Sequence, residues 1–154
     1  SFLTGLTIES SPAVVNGVVY VGSRDNSFYA LNAKTGAKLW QFTTGGDVLS
    51  SPAVENGVVY FGSDDFNVYA LNAATGAKLW NYTTGNVVHS SPTIANGVLY
   101  IGSYDGKVYA LDAATGAELW SYKTGKSVLS GVAVVNGTVY TASEDFNVYT
   151  FDLP

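Results

Sequence analysis

Aspartate returns every 40 residues in this 154-residue chain, at Asp25, Asp65, Asp105 and Asp145, and the second occurrence is doubled as Asp64-Asp65. Carboxylates at fixed spacing are what acid–base catalysis or a hard cation would use. A carboxylate that every copy of a unit carries, however, is also the ordinary cap of a tight turn, and the copying itself favours that role. Asp64-Asp65 reads in the same way, as a solvated turn. His89 is the single histidine. One imidazole without partners makes neither a metal site nor a triad, so it reads as a surface or channel-mouth residue. The chain has no cysteine, which removes thiolate chemistry and disulfides together. The glycines fall at turns and form no phosphate loop. No catalytic, metal or cofactor residue is assigned.

Bulk composition narrows the partners. The formal net charge is −5 and the seven basic residues are scattered, so a phosphate-binding surface and a nucleic-acid partner are not expected. Almost half the residues are apolar, enough for a core. No stretch is long enough to span a membrane, and no signal-peptide pattern is present. The first residue is Ser rather than Met, which reads as a processed form or a fragment.

The elements that position the aspartates follow from the repeat. "SSPAVVNGVVYVGS" from Ser10 returns from Ser50, Ser90 and Ser130, and residues 10–49 match 50–89 at 28 of 40 positions without a gap. Each unit predicts four short strands. In the first these are Ser11–Val14, Val18–Ser23, Ser27–Ala33 and Ala37–Thr43. Asn16-Gly17 suits a two-residue hairpin turn, because both positions take positive φ. Thr35-Gly36 turns the chain into the last strand, where Lys38, Trp40 and Phe42 share one face by the period of two. Pro12, Pro52 and Pro92 suit the start of a strand with a free edge. No helical period competes. Four strands per ~40 residues, repeated, is the signature of propeller blades, which bury both faces only by stacking. The fold class is all-β: a β-propeller of four-stranded antiparallel blades in one unit spanning residues 1–154. Repeats 10–49, 50–89, 90–129 and 130–154 form the blades, and residues 1–9 serve as a closing strand.

One phrase carries a resemblance. "ALNAKTGAKLW" (Ala30 to Trp40) returns as "ALNAATGAKLW" (Ala70 to Trp80) and "ALDAATGAELW" (Ala110 to Trp120). With the preceding "SSPAVxNGVVYxGS" it resembles the PQQ-like β-propeller repeat of quinoprotein alcohol dehydrogenases and of a non-enzymatic outer-membrane-assembly lipoprotein. The resemblance implies that Trp40, Trp80 and Trp120 dock on adjacent blades, received by Ala30, Thr35, Gly36 and their equivalents. It also implies what a quinone site would need: a ring-stacking tryptophan, a disulfide of adjacent cysteines and a calcium ion. Cysteine is absent and all three tryptophans hold docking positions, so neither an enzyme nor a cofactor is expected.

Four blades are half of the larger rings this family builds. A homodimer would make eight, each N-terminus completing the other chain's last blade; a tight four-bladed monomer and a fragment of a longer parent are the alternatives. The repeats differ mostly on one rim, formed by the turn between strands two and three and the link to the next blade. Arg24, Asp64, Tyr104 and Glu144 occupy one column there, Asn26, Phe66 and Phe146 another, with Lys126 and His89 close by. Exposed aromatics mixed with charges suit contact with a protein or small ligand. The expected function is therefore a non-enzymatic binding or scaffold module. A fragment of a quinoprotein-type enzyme, or a designed or duplicated scaffold without a natural ligand, is the alternative. The family's habits point to the periplasm or cell exterior.

Overall fold

Turn chemistry cuts the chain into strands. Asn16 and Gly17 both take positive φ, 50° and 78°, and Asn56-Gly57, Asn96-Gly97 and Asn136-Gly137 repeat the pair, as a two-residue hairpin turn requires. The computed structural model describes residues 1–152; Leu153 and Pro154, the end of the fourth repeat, lie outside it.

Each repeat forms one antiparallel sheet in sequence order. The first blade comprises β1 (Ala13–Val15), β2 (Val18–Ser23), β3 (Ser27–Asn32) and β4 (Lys38–Thr43). The second comprises β5 (Ala53–Glu55), β6 (Val58–Gly62), β7 (Asn67–Asn72) and β8 (Lys78–Thr83). The third comprises β9 (Thr93–Ala95), β10 (Val98–Gly102), β11 (Lys107–Asp112) and β12 (Glu118–Lys123). The fourth has three strands among the described residues: β13 (Ala133–Val135), β14 (Thr138–Ala142) and β15 (Val148–Asp152). The innermost strands start two residues later than the sequence predicts, at Ala13 rather than Ser11. Pro12 has no N–H to give a ladder, and the Ser11 N–H goes sideways, to Ser51 Oγ of the next blade at 2.9 Å. Ser51 repeats the contact with Ser91 at 3.1 Å.

The core lies between blades. The rear face of the first blade, with Tyr20, Phe28 and Ala30, meets Val59, Phe61, Tyr69 and Leu71 on the front of the second. Phe28 and Phe61 stack at 4.0 Å. The joint between the second and third blades repeats this with Tyr60, Val68 and Trp80 against Leu99, Ile101 and Leu111. The link that follows each outermost strand is wedged in as well. Val48 sits so close to Gly22 that a Cβ there would meet it at 2.5 Å. Glycine is required at that position because the backbone must approach this closely.

Residues 1–9 form no strand and lie on the front of the first blade. Phe2 packs on Tyr29 with ring centroids 5.2 Å apart, as Phe42 packs on Tyr69 at 5.4 Å. The Arg24 N–H donates to Thr7 O, as that of Asp64 does to Asp47 O. The segment thus sits on the first blade as residues 41–49 sit on the second. Among the described residues no hydrogen bond joins it to the fourth sheet.

Candidate interaction site

The aspartate column is built by the turn after the second strand of each blade, and its partners are structural. Asp65 Oδ2 accepts the Tyr69 hydroxyl at 2.6 Å and the Gly45 N–H at 2.8 Å. Tyr69 belongs to the same blade, whereas Gly45 belongs to the link arriving from the blade before. The same pair of partners recurs for Asp25 with Tyr29 and Gly5, Asp105 with Tyr109 and Gly85, and Asp145 with Tyr149 and Gly125. Each carboxylate therefore latches the incoming chain as well as capping its own turn. Burial pushes the Asp65 and Asp25 carboxyls up, but these hydrogen bonds outweigh it and hold both below the usual carboxylate range. The Tyr149 hydroxyl holds Asp145 down to about 2.

The predicted rim residues stand in the same turns and links, and the fold brings most of them together in small groups. Arg24 Nε donates to Glu9 Oε1 at 2.7 Å and its Nη1 to Asp47 Oδ2 at 3.3 Å. His89 Nε2 lies 2.7 Å from Asp64 Oδ1, without the alignment that would make either atom a satisfied hydrogen-bond partner. Its ring meets Tyr104 edge-on at 4.6 Å. Burial raises the Asp64 carboxyl, against the opposing pull of His89. The three blades carrying Arg24, Asp64 and Tyr104 thus share a polar seam with His89. Lys126 Nζ rests 5.5 Å from the centroid of the Phe146 ring, in cation–π range. Phe66 and Glu144 stand apart from these groups, Phe66 more than a third exposed and Glu144 exposed.

Backbone geometry at this rim is unusual. Phe66 and Phe146 have φ of 73° and 72°, the same conformation that Gly106 and Asn26 adopt at their positions in the column. A bulky residue in the left-handed region is strained. Phe66 is 43 % exposed and Phe146 is 95 % exposed, so burial offsets the strain only in part at Phe66 and hardly at all at Phe146.

The tryptophans lie elsewhere, on the outermost strands. Trp40 Nε1 donates to Ala73 O and Trp80 Nε1 to Ala113 O, both at 3.0 Å. Each indole crosses to the next blade and lies over a glycine, where a Cβ on Gly76 or Gly116 would meet the ring at 2.7 Å. Ala30 and Ala70 pair with Trp40 and Trp80 within their own sheets. The receiving carbonyl belongs to the alanine three residues beyond Ala70 or Ala110, and the glycine under each ring is the equivalent of Gly36. Trp120 packs near Phe151 at 5.2 Å.

Two clefts open on the opposite, uniform rim, which sequence reasoning passed over. The larger, about 570 Å³, lies between the first and second blades and is lined by Val15, Val18, Tyr20, Val54 and Ala73. A smaller one of about 430 Å³ repeats it one joint on. Their repetition marks them as the flare between wedge-shaped blades. None of the predicted rim residues lines either. Among the described residues no helix is long and apolar enough to cross a membrane, and no group of three or more His, Asp or Glu is placed to hold a metal ion.

Comparison with known proteins agrees with this architecture. The family model described as outer membrane protein assembly factor BamB, of PQQ-like repeats, matches residues 4–92 and 86–153. The crystal structure of BamB from Moraxella catarrhalis superposes with a TM-score of 0.88 at 25% identity. That match takes in 99% of this chain and 48% of the other, so the chain spans about half that protein's length. The computationally designed Ika4 protein gives a TM-score of 0.88 at 18% identity over 98% of this chain and 94% of its own. The quinohemoprotein alcohol dehydrogenase from Comamonas testosteroni gives 0.79 at 21%, over 90% of this chain and 29% of that one. No curated protein sequence matches the chain.

Proposed function

We propose, on the premise that this chain belongs to the BamB family of PQQ-like β-propellers, that it is a non-enzymatic binding or scaffold module whose contact face is the variable rim. The observation that carries this is the pair of exposed phenylalanines, Phe66 and Phe146, held at positive φ where glycine or asparagine would sit without strain. Strain kept at an exposed aromatic contributes nothing to the fold, and such strain concentrates at contact and ligand sites. Arg24, Asp64, Tyr104, Lys126, Glu144 and His89 supply the polar surround, and Asn26 holds the same column in the first blade.

Trp40, Trp80 and Trp120 are the docking joints of this reading, and their commitment to neighbouring blades leaves no indole to floor a quinone. A homodimer that completes the ring belongs to it too, as does a place outside the cytoplasm, since the name of the family model concerns outer-membrane assembly.

An affinity comparison tests the rim. The parent chain and a Phe66→Gly, Phe146→Gly double variant are immobilised and exposed to one cell-envelope fraction. The parent is expected to retain proteins that the variant loses, while the variant melts at the same temperature or higher. Identical bound sets on both would overturn the proposal.

A further inference from the structure

The two end blades present faces that internal blades bury. Val68 is fully buried and its equivalent Val148 is 72 % exposed; Tyr60 is 4 % exposed and its equivalent Tyr140 is 40 %. On the first blade, Ala33 stands where Ala73 and Ala113 accept an indole and a tyrosine from the blade before, and Ala33 is exposed. We infer that a second copy of this chain seats its fourth blade on this first blade, residues 1–5 pairing along β15 of that copy, and that the reciprocal contact closes the pair. The inference deepens the ring-completing homodimer proposed above and is independent of what the rim binds.

The register follows from the internal joints. Phe42 pairs with Phe28 and Thr43 with Ser27. One repeat back on one copy and three repeats on in the other, this places Phe2 opposite Val148 and Leu3 opposite Asn147. The Thr44 N–H donates to Asn26 O, Thr84 to Phe66 O and Thr124 to Gly106 O, so Thr4 meets Phe146 O of the second copy. Val48, Val88 and Val128 donate to Ser23 O, Ser63 O and Ser103 O, each beside a glycine; Ala142 holds that place in the fourth blade, so the pairing ends before Ile8. Tyr20 and Tyr60 donate to Ala73 O and Ala113 O, so Tyr140 meets Ala33 O. Residues 1–5 supply this pairing. Their other side is already fixed by Gly5 to Asp25 and by Phe2 on Tyr29, which leaves an extended edge facing outward. Such an edge is a template for a strand.

This joint is weaker than the internal ones. Ala142 replaces the Gly22, Gly62 and Gly102 of the other blades, and its Cβ keeps Ile8 from seating as Val48 does against Gly22. Thr150 replaces an alanine and Thr138 a valine on the same face. Two joints forming together offset this, because the second closes within an already tethered pair.

Sedimentation equilibrium of the 154-residue chain from about 1 to about 200 µM, a range that brackets micromolar affinity, is expected to show a species of twice the 16.2 kDa chain mass. A mass of one chain throughout would overturn the inference. Val148→Asp buries an unpaired charge in the joint and should weaken pairing by about a hundredfold or more. Val148 is exposed in the single chain, so circular dichroism and melting of that variant should not change; unaltered association would overturn the inference. Ala142→Gly should tighten pairing several-fold. Because the chain has no cysteine, mixing Phe2→Cys with Val148→Cys chains under mild oxidation gives a direct register test. A disulfide between them is expected, and one no more abundant than between Phe2→Cys and Phe66→Cys would count against it. Val148→Asp should leave capture at the rim intact, and Phe66→Gly should leave the dimer intact, so the two proposals fail separately.

Discussion

The second and fourth blades carry nearly the same strands in different surroundings. Val68, Ala70 and Tyr60 of the second form the core against the third blade. Val148, Thr150 and Tyr140, at the same places on the fourth, face solvent. The difference teaches that burial in this fold is a property of the joint rather than of the repeat: no blade has a core until a neighbour arrives. At Thr150 a polar residue enters the exposed face where Ala30, Ala70 and Ala110 are fully buried in the other blades.

Substitutions can break or sharpen that contrast. Trp80→Ala removes a buried indole and its hydrogen bond to Ala113 O, and thermal or denaturant unfolding should register a loss of about 3–5 kcal/mol. A change within 1 kcal/mol would show that the joints do not depend on the indoles. Val68→Ala and Val148→Ala form the direct test. The first should destabilise by about 1–3 kcal/mol through the cavity it leaves. The second should stay within about 0.5 kcal/mol at concentrations where the chain is single. Phe66→Gly and Phe146→Gly release the left-handed strain and should each stabilise by up to about 1 kcal/mol, set against the greater flexibility of glycine in the unfolded chain.

Acid should loosen the latches made by Asp25, Asp65 and Asp145. Asp25, Asp65 and Asp145 have lowered pKa values in the fold. Their contribution is complete above the unfolded value near 4 and is lost as pH falls toward the folded values, about 2 for Asp145. Asp64 is raised and acts the other way, favouring the folded state as pH drops. Asp64 acts above pH 4 and the three latches below it, which predicts a melting temperature that falls between pH 4 and pH 2, as scanning calorimetry would measure. Asp64→Asn should abolish the gain in stability on going from neutral pH down toward 4 and leave the fall below pH 4 unchanged.

The repeat, the strand order and the turns were legible because Asn-Gly and Thr-Gly have strong local meaning and a 40-residue period fixes the register. The aspartates were legible as turn caps. Their second role was not, because the Gly45-to-Asp65 bond joins parts of different blades, although the constant spacing from Asp25 to Tyr29 and from Asp65 to Tyr69 was a signal. Val48 was passed over in the same way: its partner Gly22 lies within the second strand, and nothing local in the sequence shows the link packed against it. The rim residues could be gathered into one region by topology, but the pairing of His89 with Asp64 across two blades, and the positive φ of Phe66, needed coordinates.

The aspartate latch also sets how such an array can grow or shrink. Each link is gripped by the blade it enters, not by the blade it leaves, so the grip is indifferent to which copy came before. Excising or inserting one whole period, begun at any point along it, regenerates an identical grip at the scar. Gain and loss of entire units should therefore be tolerated far better than a change of two or three residues inside one.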